Sequence, residues 1–391
     1  TPYNSVFDWK YFYRSINLCN TVLAYAKDAL NTDPTFTESE LLAYEAEALT
    51  IRALLYFYLV RSFRDVPLML DAVTSDQINF FTGKSTENEI LNQILSDLSI
   101  AEKNAVETYN NNDFDKGRVT KHTVRALQAD IYLWKNEYDS CITACDKIIN
   151  SKKFGLVPGN QWFEDIFFKG NSNEGIFELQ FYNGKTNPYY GFFHPTQGSK
   201  YFLCSYIITS LYDNNDVRGD SATYWTENYP VVYKYLGTST TSKSYRSTSN
   251  CYAHWIFYRY ADILLMKAEA LNEKGEGQQA ANIIKRIQNR AMGGDTLIDA
   301  EDKDAMRERI LLERQRELAY EGKRWYDVLR NTRRDYPAHK KIMFDMIESY
   351  ATGDIVESMK NKVNDPNSLF FPIYYKEIES NKSLEQNPYY K

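Results

Sequence analysis

The chain has little of what most catalytic and metal-binding proteins rely on. Among 391 residues there are four histidines, His122, His194, His254 and His339. No two have metal-site spacing, and no HExxH occurs. Serine-hydrolase, Walker and dinucleotide glycine patterns are missing as well. The five cysteines, Cys19, Cys141, Cys145, Cys204 and Cys251, form no CxxC pair and are too sparse for a disulfide scaffold. Cys141 and Cys145 share a helical face and read as small core residues. No apolar run approaches the length of a membrane span, and the opening TPYNSVFDW is not a signal peptide. A lipid anchor or targeting segment is expected only ahead of Thr1. The formal charge of −6 and the lack of a basic, aromatic-interleaved run argue against nucleic acid as a partner.

Two acidic stretches imitate cation loops. NNNDFDKG (110–117) puts Lys116 where a calcium loop needs glycine and His122 where it needs a bidentate glutamate, so a plain loop is expected. DNNDVRGD (213–220) offers Asp213, Asp216 and Asp220 and reads as a hydrated loop. No cofactor is expected. The best placed acids for glycoside cleavage are Glu164, Asp165, Glu174 and Glu178, and alternation in FELQF points Glu178 to solvent.

What the chain has in excess is aromatic residues: 32 Tyr, 21 Phe and 6 Trp. Helical periodicity predicts helices over 8–30 and 38–63, the latter stopped by Val66-Pro67. A capping pattern at Thr86 opens the next, and others follow at 119–134, 138–150, 255–274, 277–291, 302–321 and 323–332. Between about 151 and 254 the periodicity fades into Gly, Asn, Pro and aromatic residues, with short strands at 175–181 and 230–236. Residues 129–149 lie over 268–288 without gaps, each a helix, a tight turn and a second helix bearing small residues. This is the pattern of tetratricopeptide-like hairpins, with 151–254 inserted between two copies. The expected fold is thus mostly α. One domain spans 1–391: a helical scaffold (1–150 and 255–335), a ligand-side insertion (151–254) and an irregular C-terminal segment (336–391). The charged stretch ERQRELAYEGKRWYDVLRN (313–331) reads as a structural corner. Glu-to-Arg pairs on adjacent turns brace it, Gly322 separates two helices, and Trp325 and Tyr326 are buried.

That corner resembles the C-terminal signature of the SusD/RagB family of Bacteroidetes outer-membrane lipoproteins. WKYFYRSINLCNTVL (9–23), AEALTIRALLYFYLVRSFRDVPLML (46–70), GRVTKHTVRALQADIYLW (117–134), FYRYADILLMKAEALNE (257–273) and LFFPIYYKEIESNKSLEQNPYY (369–390) match in the same order. The resemblance implies a non-catalytic, cell-surface binding protein. Its helical side would pack on a SusC-like TonB-dependent transporter. Its variable side would hold a glycan or another nutrient such as a peptide, and a lipidated N-terminal cysteine would tether it to the outer membrane. Cys19 lies inside a helix and is no substitute for that cysteine.

The family's ligand residues follow no fixed motif, so physical chemistry directs the search. Sugars stack their C–H faces on rings and hydrogen-bond to amides. An affinity of ~1 μM needs about 8 kcal/mol, hence several platforms. The expected ligand residues fall in two clusters. The first holds Tyr182, Asn183, Asn187, Tyr189, Tyr190, Phe192 and Phe193. The second holds Tyr224, Trp225, Asn228 and Tyr229, with Trp162 and Trp9 as outliers. A glycosidase and an intracellular tetratricopeptide scaffold are the rival readings.

Overall fold

Thr37 and Thr86 each accept a hydrogen bond from the backbone N–H three residues on, and Glu40 and Glu89 reach back to the cap. These reciprocal caps satisfy donors that a helix start leaves open. They set the beginnings of two of the longest helices in a computed structural model, which describes residues 1–74, 81–196, 204–226, 229–294 and 302–391. Asn228 lies outside the described residues.

The N-terminal part is helical: α1 (Lys10–Tyr25), α2 (Ala29–Thr32), α3 (Glu38–Phe63), α4 (Glu87–Asn104), α5 (Asn112–Gly117), α6 (Lys121–Trp134) and α7 (Tyr138–Ile149). The short α5 replaces the loop expected at 110–117, because Asn111 caps Phe114 N–H and starts a turn of helix. The central part contains β1 (Gly175–Leu179), α8 (Tyr190–Phe193), α9 (Ile207–Leu211), β2 (Tyr224–Thr226), β3 (Pro230–Val232) and β4 (Trp255–Arg259). Helices then return as α10 (Tyr260–Glu273), α11 (Gly277–Met292), α12 (Lys303–Glu317), α13 (Arg324–Arg334), α14 (Lys340–Tyr350), α15 (Asp354–Val363) and α16 (Tyr375–Ser380).

The two similar helical pairs are α6–α7 and α10–α11, and they superpose residue for residue at their turns. Asn136 and Gly275, equivalent positions, both take left-handed φ, 61° and 86°. Asparagine and glycine are the residues that tolerate this region best. Cys141 and Ala280, also equivalent, are fully buried where the paired helices meet. The pairs pack on each other through α7 and α10, as stacked hairpins must to bury their inner faces.

The expected helix at 255–274 is a strand followed by a helix. Residues 255–259 pair antiparallel with β1, matching Glu178 to Ile256 and Leu179 to Trp255. Tyr260 N–H donates to Glu174 O at 2.8 Å and closes the ladder. The points where the chain enters and leaves residues 180–254 therefore lie side by side. The insertion has its own core of Trp162, Phe163, Phe167, Tyr212, Tyr224, Tyr233 and Tyr235, separate from the helical cores.

Candidate functional site

The corner at 313–331 bends differently from expectation. α12 ends at Glu317, and the chain turns through Tyr320 (φ 62°) and Gly322 (φ 74°). At Gly322 a Cβ would come within 3.3 Å of the Trp255 ring, so both the turn and the contact favour glycine. Glu313, Glu317 and Glu321 do not pair with arginines on neighbouring turns, although Asp327 does with Arg330 at 3.0 Å. Glu313 and Glu317 bond Arg218 at 2.6 and 2.7 Å, Glu317 and Glu321 bond Arg259 at 2.7 and 2.8 Å, and Arg290 reaches Glu317 at 2.5 Å. Glu174 joins Arg259 and Arg290, Asp216 joins Arg218, and Lys234 joins Glu321. Nearly every charged side chain in this set is shielded from water, and together they fasten the insertion to α11 and α12. Burial alone would raise the Glu317 carboxyl, but Arg290, Arg259 and Arg218 outweigh it and hold it well below the usual range. A second set lies behind. Burial is again outweighed at Asp262, held at about 2 by Lys323 and Arg314, and at Glu269, held at about 2 by Arg330 and Arg334. Trp325 and Tyr326 are half-buried rather than enclosed.

These partners also settle the acids considered for bond cleavage. Glu174 belongs to the network. Glu178 does not face solvent: it is fully buried, 2.9 Å from His254 Nδ1 and accepting from Asn171 N–H at 3.0 Å, because the 170–172 turn and His254 cover that side of β1. Glu164 and Asp165 share Lys169 at 3.6 and 2.9 Å. Asp216 and Asp220 are engaged by Arg218 and Lys243. Among the described residues no group of three or more His, Cys, Asp or Glu is placed to hold a metal.

The expected ligand residues divide by burial. Trp162 is fully enclosed; its Nε1 donates to Glu317 at 3.3 Å and its ring meets Phe167 edge-on at 4.9 Å. Trp9 is buried edge-on to Phe63 and Tyr13 and lines a cavity of about 430 Å3 between α1, residues 67–73 and α16. Both serve packing rather than display, since each sits where helices or layers meet. Asn187 is buried as a pin: its amide donates to Ala253 O at 2.7 Å and its Oδ1 accepts from Tyr189 N–H at 2.8 Å. Tyr190 is buried and donates to Arg246 O at 2.9 Å, and Tyr224 is buried against Tyr212. Tyr182 and Asn183 are exposed at a turn. Tyr189, Phe192, Phe193, Trp225 and Tyr229 are half-buried.

The structure connects the two clusters through rings that sequence reasoning missed. Tyr190 packs on His194, His194 on Tyr245 at 5.2 Å, and Tyr245 on Trp225 at 5.3 Å. A second branch runs from Tyr189 to Trp255 at 4.6 Å, from Trp255 to Tyr235 at 5.4 Å and on to Phe193 at 5.8 Å. Tyr245 and Trp255 are half-buried, so a run of partly open rings crosses the insertion over a closed aromatic floor. Offset and edge-on packing holds such rings rigid while leaving ring surface to a ligand. Tyr245 stands alone in GTSTTSKSYRSTSN, and Trp255 sits at the edge of a helical pattern; neither gave a local signal.

Comparison with known proteins matches this architecture to one group. A family model described as "SusD family" covers residues 159–390, and another, "Starch-binding associating with outer membrane", covers 2–133. SusD-like protein P38 of Formosa agariphila is 25% identical, over 88% of this chain and 74% of its own length. A SusD superfamily protein from Bacteroides thetaiotaomicron superposes with a TM-score of 0.80 at 20% identity, covering 100% of this chain and 87% of that one. A laminarin-binding SusD-like protein superposes at 0.74 with 20% identity, over 97% and 85%. One family model thus runs through more than half of the sequence, over the insertion and the elbow that anchors it, and the chain belongs to the SusD family.

Proposed function

We propose that this protein captures an oligosaccharide or polysaccharide at the outer face of an outer membrane and passes it to a SusC-like TonB-dependent transporter. It makes and breaks no covalent bond, needs no cofactor, and is held at the membrane by an N-terminal lipid anchor. The observation that carries the reading is a pair of ring runs, one from Tyr189 through Trp255 and Tyr235 to Phe193, the other from Tyr190 through His194 and Tyr245 to Trp225. Flat platforms at several angles suit pyranose faces, and the pinned backbone around Asn187 preorganises them. The laminarin-binding relative and the starch-binding family description agree with a glycan as cargo. The acids lie in ion pairs or against His254, not opposed across a cleft, which favours binding over hydrolysis. The helical side supports the transporter role: α1 leaves Tyr11, Leu18, Val22 and Tyr25 exposed.

Calorimetric titration with a panel of glucans, laminarin included, and other glycans tests the reading. Binding is expected to weaken about tenfold in Trp225→Ala, a loss of about 1.4 kcal/mol, with folding retained. A panel that binds nowhere while a peptide library binds would transfer the cargo to peptides. New reducing ends during incubation, abolished by one glutamate substitution, would make the protein a glycosidase. Co-purification with a SusC-like transporter tests the partnership.

A further inference from the structure

The elbow between α12 and α13 has two sides. Its carboxylates turn inward to the buried arginines. Its other side, with α9 and the end of α14, encloses a cavity of about 380 Å3, within the range of small-ligand sites. Tyr320, Trp325 and Tyr350 supply rings to this cavity, Gln315 an amide, and Lys323 and Arg324 positive charge; among the described residues no carboxylate lines it. That is notable in a chain with net charge −6.

The two cations are not equivalent. Lys323 is committed, 2.9 Å from Asp262 and donating to Phe257 O at 2.7 Å. Arg324 donates to Leu311 O at 3.1 Å and makes no ion pair among the described residues. Burial pulls its pKa down, and the nearby Asp327 offsets that only in part. Every other elbow cation between 314 and 334 bonds an acid or, as Arg316 does, sits on a backbone carbonyl outside the cavity wall. The rings are placed with comparable care. Tyr320 holds a left-handed backbone that costs a non-glycine residue of order 1–3 kcal/mol. Tyr350 is 54% exposed. Gly322, also in the wall, abuts Trp255, so the cavity adjoins the aromatic run.

We propose that this cavity is a subsite for an acidic sugar residue, a uronate or sulfated pyranose that packs on Tyr320, Trp325 and Tyr350 and places its anionic group against Arg324. The proposal rests on the glycan reading above and adds the charge of the cargo. A guanidinium pairs with carboxylate or sulfate through charge-assisted, directional bonds, and its missing counter-ion is then supplied by the ligand.

The test is calorimetric titration of uronate-containing and sulfated oligosaccharides, each beside its carboxyl-reduced or desulfated counterpart. At least one acidic oligosaccharide is expected to bind about tenfold more tightly than its neutral partner, about 1.4 kcal/mol. Arg324→Gln should erase that preference, whereas Arg324→Lys should keep part of it. Gln315→Glu, which adds a negative charge to the wall without touching Arg324, should weaken the acidic form alone. The proposal is overturned if each pair binds equally and neither Arg324→Gln nor Gln315→Glu separates them; glycan capture then stands without an acidic subsite. Binding of no oligosaccharide at all overturns both readings. Tighter binding of an oligoglutamate peptide than of every sugar overturns the ligand class.

Discussion

Glu317, at the elbow, and Trp225, in the insertion, belong to two contrasting parts of the molecule. Glu317 is fully buried and meets three arginines. Trp225 is half-buried and meets two tyrosine rings. From residue type alone the elbow is the more chemical of the two, with its dense acids and bases. Environment reverses that impression. The elbow glutamates have been removed from water and satisfied by Arg218, Arg259, Arg290 and Lys234, so they offer nothing to a ligand. The rings are satisfied only in part, and the remaining ring surface faces outward. Removing one buried partner strands the others, whereas removing one ring forfeits only its own contacts.

The sharpest way to break this contrast is Glu317→Gln. It leaves Arg218, Arg259 and Arg290 short of a buried counter-charge and is expected to cost about 3–5 kcal/mol of stability, read as a lower urea midpoint. Glycan affinity of the molecules that remain folded should not move. Lost affinity at unchanged stability would place the elbow acids in the site.

Acid titration probes the same side of the comparison. The folded-state pKa values of Asp262 and Glu269 are depressed to about 2. The unfolded chain therefore binds more protons as pH drops below about 5, and the stability these groups contribute is full above that point and fades toward pH 2. Thermal midpoints should fall steeply across this window. A flat profile would mean the ion pairs do not hold the fold.

Smaller effects sharpen the aromatic side. Trp255→Ala removes a ring that sequence reading placed inside a helix, and it should weaken glycan binding about three- to tenfold, in keeping with about 0.5–1.5 kcal/mol per ring pair. Tyr182→Ala should change affinity less than about threefold by the same scale, because Tyr182, though exposed, makes no ring contact with the run among the described residues. Equal losses in the two variants would show that exposure alone, and not membership of the packed run, selects the platforms.

The legible parts of this chain were those with short-range causes. The capping pattern at Thr86 and the periodicity of the helices could be read directly, since each depends on neighbours three or four positions apart, and the two hairpins aligned without gaps at an offset of 139 residues. The partners of the elbow could not: Glu313 finds Arg218, 95 positions away, and no local pattern announces that pairing. β4 was hidden because five residues of WIFYR fit a helix and a strand equally well. Glu178 was misread because alternation shows which residues share a face of a strand, but not what covers that face. The candidate ring clusters were visible as dense aromatics in 182–193 and 224–229. Their connection through His194, Tyr245 and Trp255 depends on a tertiary approach that no local pattern announces, Tyr245 least of all, since it has no aromatic neighbour in the chain.

The antiparallel ladder of β1 and β4 has a further consequence. Because the 75 residues between β1 and β4 (180–254) leave and return at adjoining positions, a different segment spliced there would leave the stacked hairpins in place, provided it still carries a basic residue to meet Glu313 and Glu317, as Arg218 does.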